Sequence, residues 1–517
     1  MALLYDELER LVVAAQRCKG KLESLDEKPN LQNEIGRLLE MLYAELGLLE
    51  VNVVYLSGDP VTKPVLLHPE EKLGEVYRST WNSTGRRCRL VSSTGRVCSA
   101  ESSVAECFSP GTTAGIVLTA VPCKLEIYSS IDSLAFVAVK SDGSVIAWGD
   151  AESGGDTSAV QGQLAGGVRH VFCGDDAFAA LKADGAVVTW GVPGSGGGFG
   201  AVEERLAGDV ARVTCNGDAF AASKFDGSVV TWGDTKFGGD SSTVQKRLAG
   251  GVRRVTGCGG AFAALKSDGS VIAWGWPLSG GDISTVGERL AKDVVRVAGN
   301  DGAFAAVKSD GSVIVWGDAE CGGDASAVRA QIAEDVARVT GSSRAFAAVK
   351  CDGSVITWGD PEVGGDASTL RGQLAQGGVE RLTGNDGAFA AVKSDGSVIA
   401  WGDAECGGDA STVQGGRLAR GGGVTRVIAS GKAFAAVDES DGSVIVWGDP
   451  DCGGDAASAI QAQLTRDVES VTGGSKAFAA LKSDGSLIAW GDPRFGGDAG
   501  SVREQIARDS APNRFVD

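Results

Sequence analysis

The sequence predicts an all-β propeller preceded by two smaller regions. Three observations carry the prediction. Tryptophan recurs at Trp148, Trp190, Trp232, Trp274, Trp316, Trp358, Trp401, Trp447 and Trp490, the first six 42 residues apart and the later gaps 43, 46 and 43. Each is followed by glycine and closes a version of one phrase, as in Ala303-Phe304-Ala305-Ala306-Val307-Lys308-Ser309-Asp310-Gly311-Ser312-Val313-Ile314-Val315-Trp316-Gly317-Asp318. A Gly-Gly-Asp step then follows in most copies, as at Gly322-Gly323-Asp324. A fixed period of this length marks an array of supersecondary units that bury their apolar faces only against one another.

Each unit divides into four parts. A short strand such as Val252-Arg253-Arg254-Val255-Thr256 precedes an apolar strand, Ala261-Phe262-Ala263-Ala264-Leu265-Lys266. The turn Ser267-Asp268-Gly269-Ser270 leads into a third strand, Val271-Ile272-Ala273-Trp274-Gly275. Asp-Gly between two β-rich runs is a strong hairpin signal, because both positions tolerate positive φ. A segment such as Asp324-Ala325-Ser326-Ala327-Val328 then offers caps for one or two helical turns. Nine such units, residues 124–510, make a propeller of about 42-residue repeats. Residues 511–517 are left as a tail.

Two regions precede the array. Leu4, Leu8, Leu11, Ala15, Cys18, Leu22 and Leu25 form a heptad seam, which Pro29 and Asn30 break. Leu31, Ile35, Leu38, Leu42, Leu46 and Leu49 resume it. Residues 1–49 therefore read as a helical hairpin, or as a coiled coil that oligomerises or binds a partner helix. Residues 51–122 change style. A strand from Val51, a mate at Lys63–Leu67, a helix over 72–81, a strand at Cys88–Val91, Cys98 after a glycine turn, and a last strand Gly115–Val121 follow in order. This order resembles the ubiquitin-like β-grasp fold. No Gly-Gly tail follows the last strand, so conjugation is not implied; a docking surface is.

The phrase A-F-A-A-[VL]-K-x-D-G-S-V-I-x-W-G-D resembles the repeat of the regulator of chromosome condensation (RCC1-like) family, across nine copies. The short unit is most similar to the three-stranded variant of a bacterial β-lactamase-inhibitory propeller. The resemblance implies blades around an axis. Family rings usually have seven blades. Nine units could close one ring, close seven and leave two outside, or stay open.

Composition narrows the function. The chain has 517 residues, 77 Gly and 12 Pro, with 43% hydrophobic residues in regular order, so glycine here is turn chemistry and not low-complexity disorder. A net charge of −19 and the lack of a basic run argue against nucleic-acid binding. Two histidines, His68 and His170, leave little for a His-based dyad or zinc site. Twelve cysteines without a CxxC pair suit a reducing compartment, the cytoplasm or alternatively the nucleus. Asp6, Glu7 and Glu9 stand where a secretory signal needs a basic start, and no apolar run nears the ~18 residues of a membrane span.

The aspartates recur in three series, at the hairpin turn, after Trp-Gly and after Gly-Gly. With no Asp-x-Asp-x-Asp spacing they read as turn and cap chemistry, not calcium ligands. The Trp and Phe series read as core. No catalytic residue, cofactor or metal site is expected.

Departures from the rule carry the site candidates. Copy two loses both loop aspartates and gains Phe199; copy four places Trp276 after Trp274-Gly275; Phe237 and Phe495 occupy a loop position held elsewhere by Cys321, Cys406 and Cys452; copy eight inserts around Val437-Asp438-Glu439-Ser440. Exposed aromatics anchor interfaces, so Trp276, Phe199, Phe237 and Phe495 are the candidate partner contacts. The expected function is a non-enzymatic protein-interaction scaffold. The resemblances add a ubiquitin-pathway alternative, a component of a HERC-type ligase system without its catalytic domain, since the last cysteine, Cys452, lies in a repeat loop. They also add exchange of guanine nucleotide on a small GTPase, and inhibition of an enzyme by the loop face.

Overall fold

The computed structural model describes residues 49–54, 60–62, 64–67, 73, 76, 79–80, 83, 88–92, 97–98, 116–122 and 125–510, except 199, 412, 414–417 and 419–422. The expected helical hairpin at 1–49 and the tail at 511–517 thus lie outside the described residues, save for Leu49. The chain divides into two compact units, Met1–Cys123 and Lys124–Asp517.

In the first unit five strands form one sheet: β1 (Leu49–Val54), β2 (Val65–Leu67), β3 (Cys88–Ser92), β4 (Val97–Cys98) and β5 (Ile116–Pro122). Their order is β2-β1-β5-β3-β4. β1 runs antiparallel to β2 and parallel to β5, while β3 runs antiparallel to β5 and β4. Alternate residues Val51 and Val53, Ile116 and Leu118, and Leu90 are buried with Leu73 and Val76. Of the helix expected at 72–81, Val76, Ser79 and Thr80 are helical, and the Thr80 hydroxyl donates to the Val76 carbonyl one turn back at 2.7 Å.

The second unit holds nine three-stranded antiparallel sheets, each in sequence order. Blade 1 runs Glu126–Tyr128, Ala135–Val139, Val145–Gly149; blade 9 runs Val468–Gly473, Ala477–Lys482, Leu487–Gly491. The first strands of neighbouring blades touch one another, so they are innermost. Side chains tie them across the gaps: Thr214, Thr256 and Thr383 donate to Val255, Val297 and Val427 carbonyls at 3.2, 3.3 and 3.0 Å. The middle strand carries the core, because its alternating side chains pack on both neighbouring blades. Ala219 and Ala221 face the next blade's Val255, Phe262 and Trp274, while Phe220 and Ala222 face the previous blade's Ala177 and Ala179.

All nine blades close one ring. Thr472 on blade 9 donates to the Ile127 carbonyl of blade 1 at 3.1 Å, and Trp148 donates to the Gly496 carbonyl at 3.1 Å. Blade 1 residues Phe136, Ala138, Ile146 and Trp148 share a core with blade 9 residues Ala477, Ala479 and Leu481. The helix Gly500–Ser510 seals this seam with Val502 and Ile506, both buried. Ile506 takes the role of Leu164 between blades 1 and 2. Among the described residues no strand is exchanged between the two ends of the array.

The hairpin turn differs in detail from the expectation. Gly143 sits at φ +72 and its amide donates to the Lys140 carbonyl, but Asp142 is not at positive φ. The Asp142 carboxylate instead accepts from the Ser144 amide at 2.8 Å. Aspartate is there for its side-chain acceptor, not for left-handed backbone freedom.

Candidate functional site

One end of the ring carries the loops after each Trp-Gly and the short crossings from inner to middle strand. Asparagines fix the two together. Asn300 accepts from the Gly302 and Ala303 amides at 3.1 and 2.8 Å and donates to the Cys321 carbonyl at 2.7 Å; Asn216 reaches the Phe237 carbonyl and Asn385 that of Cys406, both at 2.8 Å. Asp234 and Asp318 cap the loops by accepting from Lys236 and Glu320 amides at 2.7 and 2.9 Å. Aspartates following Gly-Gly, such as Asp240, Asp324 and Asp409, accept from the amide two residues on, Asp324 from Ser326 at 2.9 Å.

This scaffold brings two of the four candidate aromatics together. Phe237 on blade 3 stacks on Trp276 on blade 4, with ring centroids 5.6 Å apart and 20° between planes. Lys236 places its ammonium 3.4 Å from the Trp276 ring centre, a close cation–π contact. Both rings are half-buried, and Leu278 beside them is 70% exposed. The side chain that replaces a capping aspartate in copy four thus completes a two-blade aromatic patch. Phe495 stays apart on blade 9, half-buried between Lys476 at 5.1 Å and Arg494 at 5.3 Å. Phe199 lies outside the described residues.

At the centre of the same face is an acidic collar that reading along the chain missed. Backbone bonds run from blade to blade there: Ser475 N to Ser133 O, Gly431 N to Ser475 O, Asp386 N to Gly431 O, each 2.9 Å. Asp132, Asp175, Asp218, Asp301 and Asp386 line the mouth, a cavity of about 400 Å³. Blade 1 crosses with residues 130–134 between Ser129 and Ala135, where blade 2 uses 174–176 between Cys173 and Ala177, and the longer crossing carries Asp132. Burial first, then the charge of Asp132, pushes the Asp175, Asp301 and Asp386 carboxyls up to about 7. Arg344 opposes the rise at Asp301, and Lys432 at Asp386. Among the described residues no group of three or more His, Cys, Asp or Glu is arranged to hold a metal ion.

Burial pushes the Cys258 and Cys406 thiols up to about 12, far from the thiolate form at neutral pH. His170 packs edge-on between Tyr128 and Phe172, at 4.8 and 4.6 Å. No helix among the described residues is long and apolar enough to cross a membrane.

The site and fold define a nine-bladed β-propeller with an aromatic patch and an acidic central mouth on one face. No family model matches the chain, and no curated protein matches it. Similar solved structures include the CRINKLY WD40 ectodomain of the Arabidopsis thaliana receptor kinase ACR4, at 16% identity over 53% of this chain and 93% of that one, with a TM-score of 0.31. Prp20p from Saccharomyces cerevisiae is 14% identical over 72% of this chain and 81% of its own, with a TM-score of 0.32. The computationally designed Ika8 protein is 15% identical over 62% and 94%, with a TM-score of 0.31.

Proposed function

We propose that this chain is a non-enzymatic protein-interaction scaffold, and that the Trp276–Phe237 patch is where its propeller docks a protein partner. The stacked pair, held by Lys236 and flanked by the exposed Leu278, carries the reading. Half-exposed aromatic side chains on a rigid blade bury large apolar area at small entropic cost when a partner covers them, which is how interface anchors work. The scarcity of histidine and the high thiol pKa values support a binding role over catalysis.

The first unit is read as a ubiquitin-like docking module. Its support is the sheet order β2-β1-β5-β3-β4, with β1 and β5 parallel and helical residues between β2 and β3. On this reading the chain joins two docking surfaces in a reducing compartment, with the 1–49 segment as an oligomerising element. A component of a HERC-type ligase system and a nucleotide-exchange factor for a small GTPase remain the alternatives.

The test is affinity capture with the full chain, its Trp276→Ala variant and a 1–123 deletion, after circular dichroism has established that each folds. Loss of captured proteins in Trp276→Ala supports the patch. An unchanged set in both variants overturns the placement of both surfaces. Accelerated nucleotide release from a small GTPase would replace the scaffold reading with exchange.

A further inference from the structure

The opposite half of the inner strands in blades 2–9 holds a feature that no stretch of sequence displays. In blades 2–9 the inner strand has a β-bulge one residue after its start. Bulges re-aim the side chains beside them. The residue after the bulge is arginine in six consecutive blades: Arg212, Arg254, Arg296, Arg338, Arg381 and Arg426. Blades 2 and 9 put His170 and Ser470 there, so the arc is no requirement of the repeat.

Neighbouring inner strands touch, which sets these arginines side by side round the axis. Burial and the adjacent Arg296 and Arg381 hold the Arg338 guanidinium below its ordinary value, with Glu380 opposing. Arg338 Nη2 is buried without a hydrogen-bond partner, and among the described residues Arg296, Arg338 and Arg381 form no ion pair. Arg426, by contrast, meets Glu439 at 3.4 Å and donates to the Glu469 carbonyl at 2.9 Å. The nearby Asp293 carboxylate is engaged by Lys292 and Lys308, each at 3.9 Å. Clustered like charges cost stability unless an anion compensates them.

We propose that Arg296, Arg338 and Arg381 on adjacent inner strands bind a compact compound bearing several phosphate groups. Guanidinium forks match phosphate oxygens bidentately, and three on touching strands fit phosphates clustered on one small molecule. A duplex would meet the charge of the whole chain, −19, which repels an extended phosphate backbone.

Isothermal titration of the full chain at low salt tests this, with inorganic tripolyphosphate and inositol hexakisphosphate as probes. Binding of either at one site per chain, weakened at least about tenfold by R338Q/R381Q and by added salt, is the expected result. The difference between the two probes reports which phosphate-bearing framework is preferred. A thermal melt establishes that the variant folds, and R338K, which keeps charge but loses the fork, serves as the second variant with an intermediate loss. No binding of either probe, equal binding by R338Q/R381Q, or equal binding of a penta-glutamate peptide would overturn the proposal.

Discussion

Trp190 Nε1 donates to the Gly154 carbonyl at 2.9 Å across the gap between blades 2 and 1. The same glycine lies against the ring of Phe178, which itself stacks on Trp190 with centroids 5.4 Å apart. The relationship repeats at all nine interfaces, ending with Trp148 and Gly496. It explains why Trp, Phe and the first glycine of Gly-Gly-Asp recur together: they are three parts of one inter-blade joint.

Gly154→Ala should therefore weaken the ring. Gly154 sits at φ +102, and a Cβ would lie 2.4 Å from Phe178 Cδ2. The strained backbone and the overpacking together cost about 2–4 kcal/mol. Denaturant unfolding of the variant measures this, and an unchanged midpoint would contradict the joint.

Trp358→Phe removes the donor to the Gly322 carbonyl, a bond of 3.0 Å in a buried site, and shrinks the ring. The orphaned carbonyl and the smaller ring should cost about 1–3 kcal/mol. Thermal melting with near-ultraviolet circular dichroism would detect it.

Ile506→Ala tests ring closure. Ile506 is 1% exposed in the seam between blades 9 and 1. The cavity should cost about 2–4 kcal/mol and raise hydrogen exchange first in Val145–Gly149 and Leu487–Gly491, the strands beside the helix. Exchange that rises equally in all blades would count against a local seam.

The collar predicts a pH dependence of stability. Asp175, Asp301 and Asp386 titrate near 7 in the folded chain against 3.8 for the ordinary group, so between these values the folded state holds more protons. Stability from these groups is thus fully present at low pH and falls as pH rises from about 4 to about 7. The hairpin aspartates, such as Asp268 and Asp310, are held below their ordinary value by hydroxyl and amide donors of Ser270 and Ser312 and lose their contribution only at lower pH. Asp132→Asn should melt above the parent at pH 8, by a margin that narrows toward low pH, where the neighbouring carboxyls are protonated. A difference that does not change with pH would refute the coupling.

Asp335 sits at φ +64 just before an inner strand, as do Asp209, Asp293 and Asp467, where other blades place Gly167 or Gly251. Asp335→Gly should be near neutral, and Asp335→Val should cost about 1–2 kcal/mol, because a β-branched residue resists left-handed backbone. Comparing their melting temperatures checks it.

Much of this molecule was legible as a pattern. The tryptophan beat, the alternation in Ala-Phe-Ala-Ala and the Asp-Gly turn specify three strands per unit, since local sterics and burial act within one repeat. The chain also marked Phe237 and Trp276 as departures, though not as partners: they lie 39 residues apart and meet only because consecutive blades stand side by side. The acidic collar and the arginine arc escaped a reading along the chain. The collar aspartates stand 43 to 85 residues apart and the arginines 42 to 45, so neither set forms a charge run; comparing the same position in successive units would have exposed the arginines and, of the collar, Asp175, Asp301 and Asp386.

Sequence by itself determined the unit, its strands, its turns and the apolar surface each blade must bury. Only the tertiary structure decided that nine blades close, through Thr472, Trp148 and Ile506, and which charges face one another. The reason is physical. A repeat fixes the contact between one blade and the next, but closure depends on the small rotation at each joint summed over the whole array, and that sum belongs to no single unit.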